Sequence, residues 1–366
     1  MKFRPRMAVG AVAVTVAAIV TVPLTTEAAP TPGPDSLIEA VSPARSVYGL
    51  HDSAGHTMDT LKVVTDPTTP GRFLGVYHWL SSGTYNVGVA TSTDLRTWTY
   101  KRTVDTSASQ PTLAFSPAPK NGPILADEAS SSSHLRFKYW TTVSGFLGTA
   151  AAYKTYDAPK TLSSCAEGTP DIRTVTYASS TSTISSGSTI TVGHHYFANC
   201  DTDREAVGTL TNFGTWKTAA APATDDALTA AGAPGKHGDR DVFSYGGRNW
   251  QLFEGSVNTD KASFTMGDWR NFLYDGTTAR QVSVRTAGGS TSFANPSTTV
   301  ATVDGVPSLI VTQFLPSQAA APGESGELIY WNPLTQATPT PSPTPTVTAS
   351  PTGGRVTKVQ TARTVR

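Results

Sequence analysis

Short runs in which apolar and polar residues alternate fill the chain from residue 47 to residue 334, and helical periodicity is nearly absent. Alternation with a period of two is typical of β-strands that bury one face. The same region is rich in Thr, Ser, Gly and Val. This pattern predicts an all-β domain over residues 47–335.

The strand pattern repeats in units of roughly 50 to 60 residues, a length typical of propeller blades. Each unit has a polar or proline-containing lead-in, a strand that ends in a polar residue, a third strand with aromatic residues and a closing segment. The closing segments 92–98 and 210–216 share one layout. The five lead-ins are residues 58–61, 109–112, 167–172, 237–243 and 293–297.

Five such units can close into a ring, so the sequence predicts a five-bladed β-propeller. A two-sheet sandwich is the alternative, because it too is built from short strands. A sandwich would not require the same strand order in every unit, and we therefore favour the propeller.

The innermost strand of every blade runs along the central channel, so equivalent lead-in residues meet at one mouth. Superposition of the units brings together Asp59, Gln110, Glu167 with Thr169, Arg240 with Asp241, and Asn295. The second strands direct another set to the same region, namely His78, Glu128, His195, Glu254 and Gln313. The predicted ring is rich in carboxylates, with histidine, amide and one arginine between them.

This composition suits carbohydrate, since sugar hydroxyls both donate and accept hydrogen bonds and aromatic rings cover the apolar face of a sugar. Trp79 is one candidate for such a ring. Glycosidic cleavage also needs two carboxyl groups in unlike environments. Arg240 lies between Asp239 and Asp241, where it would hold a neighbouring carboxylate ionised and help to bind substrate.

The two ends of the chain differ from the repeat. Residues 1–28 combine a basic start, an apolar stretch and a small-x-small site, which predicts a secretory signal peptide; an uncleaved membrane anchor is the alternative. Residues 29–46 are a lead segment. Residues 336–354 are a Pro/Thr/Ser-rich linker, and residues 355–366 are a short tail that we interpret as the remnant of a lost C-terminal module.

The net charge of +1 comes from evenly mixed signs, which argues against a nucleic-acid or membrane-surface partner once the signal is cleaved. Cys165 and Cys200 are the only cysteines, and in an exported chain such a pair predicts one disulfide. A metal pair is the alternative. We expect a secreted monomer whose partner is a glycan substrate.

The five-unit order, the closing segment 92–98, the Asp59 lead-in, and the segments 167–172 and 240–243 together resemble the five-bladed propeller glycoside hydrolases of families 43, 32 and 68. The resemblance covers residues 47–334. It implies that Asp59 is the base or nucleophile, that Glu167 is the general acid and that Asp241 tunes or stabilises. It also implies that a cation, most naturally Ca²⁺, can occupy the channel.

The resemblance leaves a second assignment open, in which Glu128 and Glu254 form the catalytic pair. Either way the sequence predicts a hydrolase that attacks glycosidic bonds in polysaccharide or oligosaccharide, similar to arabinofuranosidases, xylosidases or fructanases. A non-catalytic glycan-binding propeller and a protein-interaction propeller are the alternative functions.

Overall fold

The computed structural model describes residues 32–130, 132–260 and 262–335. The predicted signal peptide, the linker and the tail lie outside these residues. Within the described ranges, no helix has the length and apolar character needed to cross a membrane.

Within the described ranges, twenty strands form five four-stranded antiparallel sheets. The first strand, Ser46–Tyr48 (β1), joins the last sheet. Blade 1 contains Asp59–Thr65 (β2), Phe73–Ser81 (β3), Thr84–Ser92 (β4) and Thr99–Thr106 (β5). Blade 2 contains Ala108–Phe115 (β6), Pro123–Ala129 (β7), His134–Tyr139 (β8) and Lys154–Asp157 (β9).

Blade 3 contains Glu167–Tyr177 (β10), Ser188–Ala198 (β11), Thr202–Thr211 (β12) and Thr215–Ala220 (β13). Blade 4 contains His237–Tyr245 (β14), Arg248–Ser256 (β15), Trp269–Tyr274 (β16) and Ala279–Val282 (β17). Blade 5 contains Ala294–Val303 (β18), Val306–Leu315 (β19), Gly326–Pro333 (β20) and β1. The short α-helices Pro34–Glu39 (α1), Val143–Leu147 (α2) and Pro222–Ala230 (α3) lie outside the sheets.

The innermost strands β2, β6, β10, β14 and β18 contact one another in sequence, and β18 returns to β2. The ring is closed by β1, which pairs with β20 and so ties the start of the domain to its last blade. The five-bladed propeller predicted from the repeat is confirmed, and the sandwich alternative is wrong.

Apolar residues from neighbouring blades pack against each other and form the core. Between blades 5 and 1, for example, Trp98, Tyr77 and Leu61 pack with Ile310 and Trp331. Each of these side chains is 5% exposed or less. Because the apolar clusters join blade to blade, the polar lead-in residues are left to face the channel.

Every innermost strand breaks its register with a β-bulge close to its start. The first bulge residues are equivalent in the five blades: Thr60, Gln110, Thr169, Gly238 and Asn295. The four that are not glycine all have a positive φ. In three blades proline follows, at positions 111, 170 and 296, where a bulge leaves no ladder hydrogen bond to lose. The bulges turn these residues towards one mouth of the channel.

Candidate active site

A cavity of about 390 Å³ opens where the five bulges meet. Seven of the residues that the sequence placed there do line it: Asp59, His78, Gln110, Thr169, His195, Glu254 and Asn295. The remaining polar lining residues include Ser109, Asp203 and Lys236. The cavity therefore combines carboxyl, imidazole, amide and hydroxyl groups drawn from all five blades.

Glu254, near the end of β15, is one of two predicted catalytic carboxyls in this cavity, and only 5% of the residue is exposed. Its Oε1 accepts a hydrogen bond from the amide of Asp239 at 2.9 Å, and its Oε2 accepts one from the amide of Asn295. Burial raises the pKa of Glu254, with a further contribution from the charge of Asp203, while the two amides and Arg240 act in the opposite direction.

Glu254 fits only because residue 238 is a glycine. A Cβ atom at Gly238 would overlap with the Glu254 carboxyl group. The bulge in β14 thus supplies both the space for this carboxyl and, through the amide of Asp239, one of its hydrogen-bond donors.

Asp59, the first residue of β2, is the other predicted catalytic carboxyl in the cavity. Burial raises its pKa, whereas a hydrogen bond from Thr57 Oγ1 (3.1 Å) and the nearby His51 lower it. Asp59 is less deeply buried than Glu254. Since burial disfavours the ionised form of a carboxyl group, this difference favours Asp59 over Glu254 as the carboxylate.

Two histidines stand between the carboxyls, and burial lowers the pKa of each to about 4. His78 Nδ1 accepts a hydrogen bond from the amide of Gln110 at 3.0 Å. His195 Nδ1 lies 2.6 Å from Thr169 Oγ1. Near neutral pH both rings are uncharged. Because Nδ1 of each ring is already engaged, Nε2 is the nitrogen left for a ligand, and in His78 it carries the proton and can donate to a hydroxyl group. The neighbouring His194 is fully buried and contacts Thr218, as expected for alternating residues in a strand.

Glu167 does not reach the cavity, contrary to the position expected from the sequence. The residue is 2% exposed, and its Oε1 accepts hydrogen bonds from the backbone amides of residues 161, 162 and 163. A carboxylate held by several amides in this way organises the loop that precedes β10. The bulge explains the difference, because Thr169, two residues later, takes the position at the mouth.

Glu128 also lies just outside the cavity lining. Its carboxyl group accepts a hydrogen bond from the amide of Thr169, and burial raises its pKa to about 7. A Cβ atom at Gly168 would overlap with this carboxyl group. Glu128 therefore lies against the backbone of blade 3 in the way that Glu254 lies against the backbone of blades 4 and 5, but it is not among the residues that line the cavity.

Arg240 and Asp241 lie deeper in the channel than the sequence superposition placed them. Arg240 is 2% exposed; it forms an ion pair with Glu205 (2.9 Å) and donates to the carbonyl of Thr169 (2.7 Å). Asp241 is paired with Lys62. Asp239 lies beside them, and its Oδ1 accepts a hydrogen bond from the amide of Arg240. All three border a separate space of about 20 Å³, which is too small for a sugar.

Two further predicted binding residues lie away from the cavity. Trp79 belongs to the core between blades 5 and 1 and stacks on His56, with ring centroids 4.2 Å apart. Gln313 is fully buried, and its Nε2 donates to Tyr330 Oη at 3.0 Å. In both strands alternation places the adjacent residue at the cavity instead, namely His78 and Phe314.

The apolar wall of the cavity was missed by the sequence reasoning. It consists of Tyr85, Phe264, Met266, Trp269 and Phe314. Phe264 and Met266 belong to the segment between β15 and β16, whose course no strand pattern reveals. Trp269 is the first residue of β16, the third strand of its blade. The sequence predicted aromatic residues in the third strand of each unit, and this was the available signal.

The channel residues do not fit a Ca²⁺ ion. Calcium needs six to eight oxygen ligands, but Asp241 is neutralised by Lys62 and accepts a further bond from the amide of Thr298. In the described part of the chain, no group of three or more His, Cys, Asp or Glu residues is arranged to hold a metal ion. Cys165 and Cys200 form the predicted disulfide, so the metal-pair alternative for them is wrong.

No protein-family model matches the chain, and no curated protein does. Solved structures do match. A thermostable family-43 glycoside hydrolase is 12% identical and superposes with a TM-score of 0.50 over 78% of this chain and 92% of its own. The two proteins share a fold. The structure of a BT0996 complex with RGII is 14% identical, with a TM-score of 0.54 over 83% of this chain and 94% of its own. The predicted resemblance to propeller glycoside hydrolases is thereby confirmed for the fold.

Proposed function

We propose that this protein is a glycoside hydrolase acting on polysaccharide or oligosaccharide, in the manner of an arabinofuranosidase, xylosidase or fructanase. One observation carries the proposal: Asp59 and Glu254, from blades 1 and 4, line a single cavity with neutral histidines, amides and aromatic rings. Glycosidic hydrolysis requires such a pair of carboxyl groups in unlike surroundings.

In this proposal Glu254 is the general acid. A general acid must carry its proton at the working pH, and burial together with the charge of Asp203 raises the pKa of Glu254. Asp59 is the base or nucleophile, since it is less deeply buried than Glu254, and Thr57 and His51 oppose the effect of burial on its pKa. Proton transfer to the leaving oxygen and attack at the anomeric carbon would then come from opposite sides of the ring.

The other lining residues supply binding. The amide groups of Gln110 and Asn295 can each donate to and accept from sugar hydroxyls. Trp269 and Phe264 meet edge to face, with centroids 5.5 Å apart, and present ring surface to the cavity. Such a wall suits the apolar face of a furanose or pyranose.

The disulfide supports an oxidising compartment, and with the sequence of residues 1–28 it supports export from the cell. We infer that the mature protein acts outside the cell as a monomer, with the linker at residues 336–354 following the propeller.

A screen on arabinan, xylan, galactan and fructan tests the proposal, with D59N and E254Q run beside the unmodified protein. We expect each substitution to reduce kcat by at least about 10²-fold, the usual contribution of a general acid or base. D275N is the control, because Asp275 lies outside the cavity lining, in the turn between β16 and β17, and its carboxyl group accepts hydrogen bonds from the amides of that turn.

E167Q separates the two assignments of the acid. If Glu167 only organises its loop, E167Q lowers thermal stability but leaves the pH dependence of kcat unchanged. Full activity in both D59N and E254Q would contradict the site. Glycan binding without turnover on any substrate would favour the non-catalytic glycan-binding propeller instead.

A further inference from the structure

A second cleft, of about 190 Å³, opens beside the candidate active site. The two spaces have Lys236 and Phe264 in common. The rest of the cleft is formed by the start of β12, the loop that leads into β14 and the loop that follows β15; it is lined by Thr202, Arg204, Gly235 and Asn258, among others. A ligand in the main cavity could therefore extend into this cleft without leaving the protein surface.

Two cationic side chains face this cleft. Arg204 donates through Nη1 to the carbonyls of Asp203 (2.9 Å) and Gly235 (2.6 Å), which fixes the guanidinium group in place. Its other N–H groups bond to no residue in the described ranges, and they remain available. Lys236 Nζ lies above the rings of Phe264 (5.1 Å) and Phe197 (5.8 Å).

Acidic side chains near the cleft are already engaged. Asp203 lies 3.4 Å from Lys236 and 3.8 Å from His195. Asp268 accepts from the amide of Thr265 at 2.7 Å and from Asn258 at 3.3 Å. Asp260 accepts from the amide of Ala262 at 2.9 Å. Lys236 thus offsets Asp203, and the charge of Arg204 is left over for a ligand.

We propose that this cleft is a subsite for a sugar that carries a carboxylate, a uronic acid residue, next to the residue held in the main cavity. The free edge of a guanidinium group matches the two oxygens of a carboxylate, and the ammonium group of Lys236, although offset by Asp203, also lines the cleft and can donate to it. Phe264 offers a ring face to the sugar itself. The role as a subsite rests on the proposed function, whereas the preference for a carboxylate can be measured by binding alone.

The test uses E254Q, so that no probe is hydrolysed. The probes are uronic-acid-containing pectic and xylan oligosaccharides, each compared with its carboxyl-reduced counterpart, in which CH₂OH replaces the carboxylate. Calorimetric titration at low salt should show at least one acidic oligosaccharide binding about tenfold more tightly than its reduced form, equivalent to about 1.4 kcal/mol. The difference should shrink at high salt.

R204Q, combined with E254Q, should abolish this difference, and R204K should retain part of it. R248Q is the matched control, because it removes the same charge from an exposed turn in blade 4 and should change nothing. Thermal unfolding checks that each variant is folded; K236Q replaces R204Q if the latter is not.

Equal affinity for acidic and reduced probes, no binding of either, or a preference that survives both R204Q and K236Q would overturn the subsite. The subsite and the proposed hydrolase activity can be contradicted independently of each other. A protein that hydrolyses neutral glycans but shows no carboxylate preference contradicts only the subsite, and one that binds uronates without hydrolysing any glycan contradicts only the hydrolase.

Discussion

Replacement of Arg240 by methionine should destabilise the propeller strongly while altering substrate affinity little. The sequence had suggested that Arg240 binds substrate, but its guanidinium group is buried among Glu205, the carbonyl of Thr169 and the carbonyl of Gly238. It therefore ties blade 4 to two strands of blade 3. Methionine retains most of the length of the side chain and removes all of these polar contacts.

The expected loss of stability follows from the buried polar groups that lose their contact with Arg240. Two buried carbonyls lose a charged donor, and Glu205, which is 1% exposed, loses the positive charge that opposes the effect of burial on its pKa. Removing one member of a buried ion pair costs about 3–5 kcal/mol. For a domain of this size each kcal/mol corresponds to about 2–4 °C in Tm, so we expect a fall of roughly 6–20 °C.

The cost should also grow at alkaline pH. Burial raises the pKa of Glu205 to about 8, against the opposing effect of Arg240. A carboxyl group whose folded pKa exceeds its unfolded value stabilises the protein fully below the unfolded pKa, and that stability is lost as the pH rises through the folded pKa. Without Arg240 the folded pKa rises further, so this loss continues above pH 8 in the variant but levels off in the unmodified protein.

Urea unfolding followed by circular dichroism at pH 6 and pH 9 measures both effects. The double variant R240M/E205L is the control, because apolar replacement of both partners should recover much of the stability. A loss below about 1 kcal/mol in R240M, equal at the two pH values, would refute the reasoning. If KM then rose sharply instead, Arg240 would be a substrate contact after all.

Two more substitutions test the surroundings of Glu254. G238A adds a methyl group where the Glu254 carboxyl lies, so kcat should fall about 10²-fold with the fold retained, as is typical for a displacement of about 1 Å. G214A is the control and should retain full activity, because its added Cβ would meet only Asn212 O at 3.7 Å. Equal activity of the two variants would count against Glu254. D203N removes a negative charge that raises the pKa of Glu254, so the alkaline limb of the kcat/KM profile should move to lower pH; a limb that stays in place would show that Asp203 does not act on the acid.

Strand alternation was enough to predict the blades, because each blade is a local antiparallel meander whose period is visible in the sequence. The same alternation identified His78 and Glu254, which lie at the open ends of second strands. It failed for Gln313, where the inward face was assigned one residue away, and the proposal of Trp79 as a sugar-binding ring ignored that Trp79 follows the inward-facing His78 in the same strand. A single-residue error in register reverses the face of every side chain in a strand, so these misses are of the expected kind.

The bulges explain the remaining errors. Each inserts a residue at the start of an innermost strand, so Glu167 falls outside the mouth and Arg240 falls below it. The signal was present in the chain, since Pro111, Pro170 and Pro296 mark one bulge position in three blades. Aligning the units on these prolines, rather than on charged residues, would have placed Gly238 beside Thr169 at the mouth, in the position that the superposition gave to Arg240.

The bulges also explain why the site cannot be assembled from any one blade. The amide of Gln110 in blade 2 holds His78 of blade 1, that of Thr169 in blade 3 holds Glu128 of blade 2, and that of Asn295 in blade 5 holds Glu254 of blade 4. Across the closure of the ring, the amide of Thr60 in blade 1 bonds Glu327 of blade 5. Each polar side chain is therefore oriented by a backbone amide of the next blade. The bulge residue that supplies this amide has a positive φ, a conformation that costs roughly 1–3 kcal/mol per residue. A closed ring brings these backbone segments together, so the pairing of β1 with β20 helps to orient the residues of the candidate site as well as stabilising the fold.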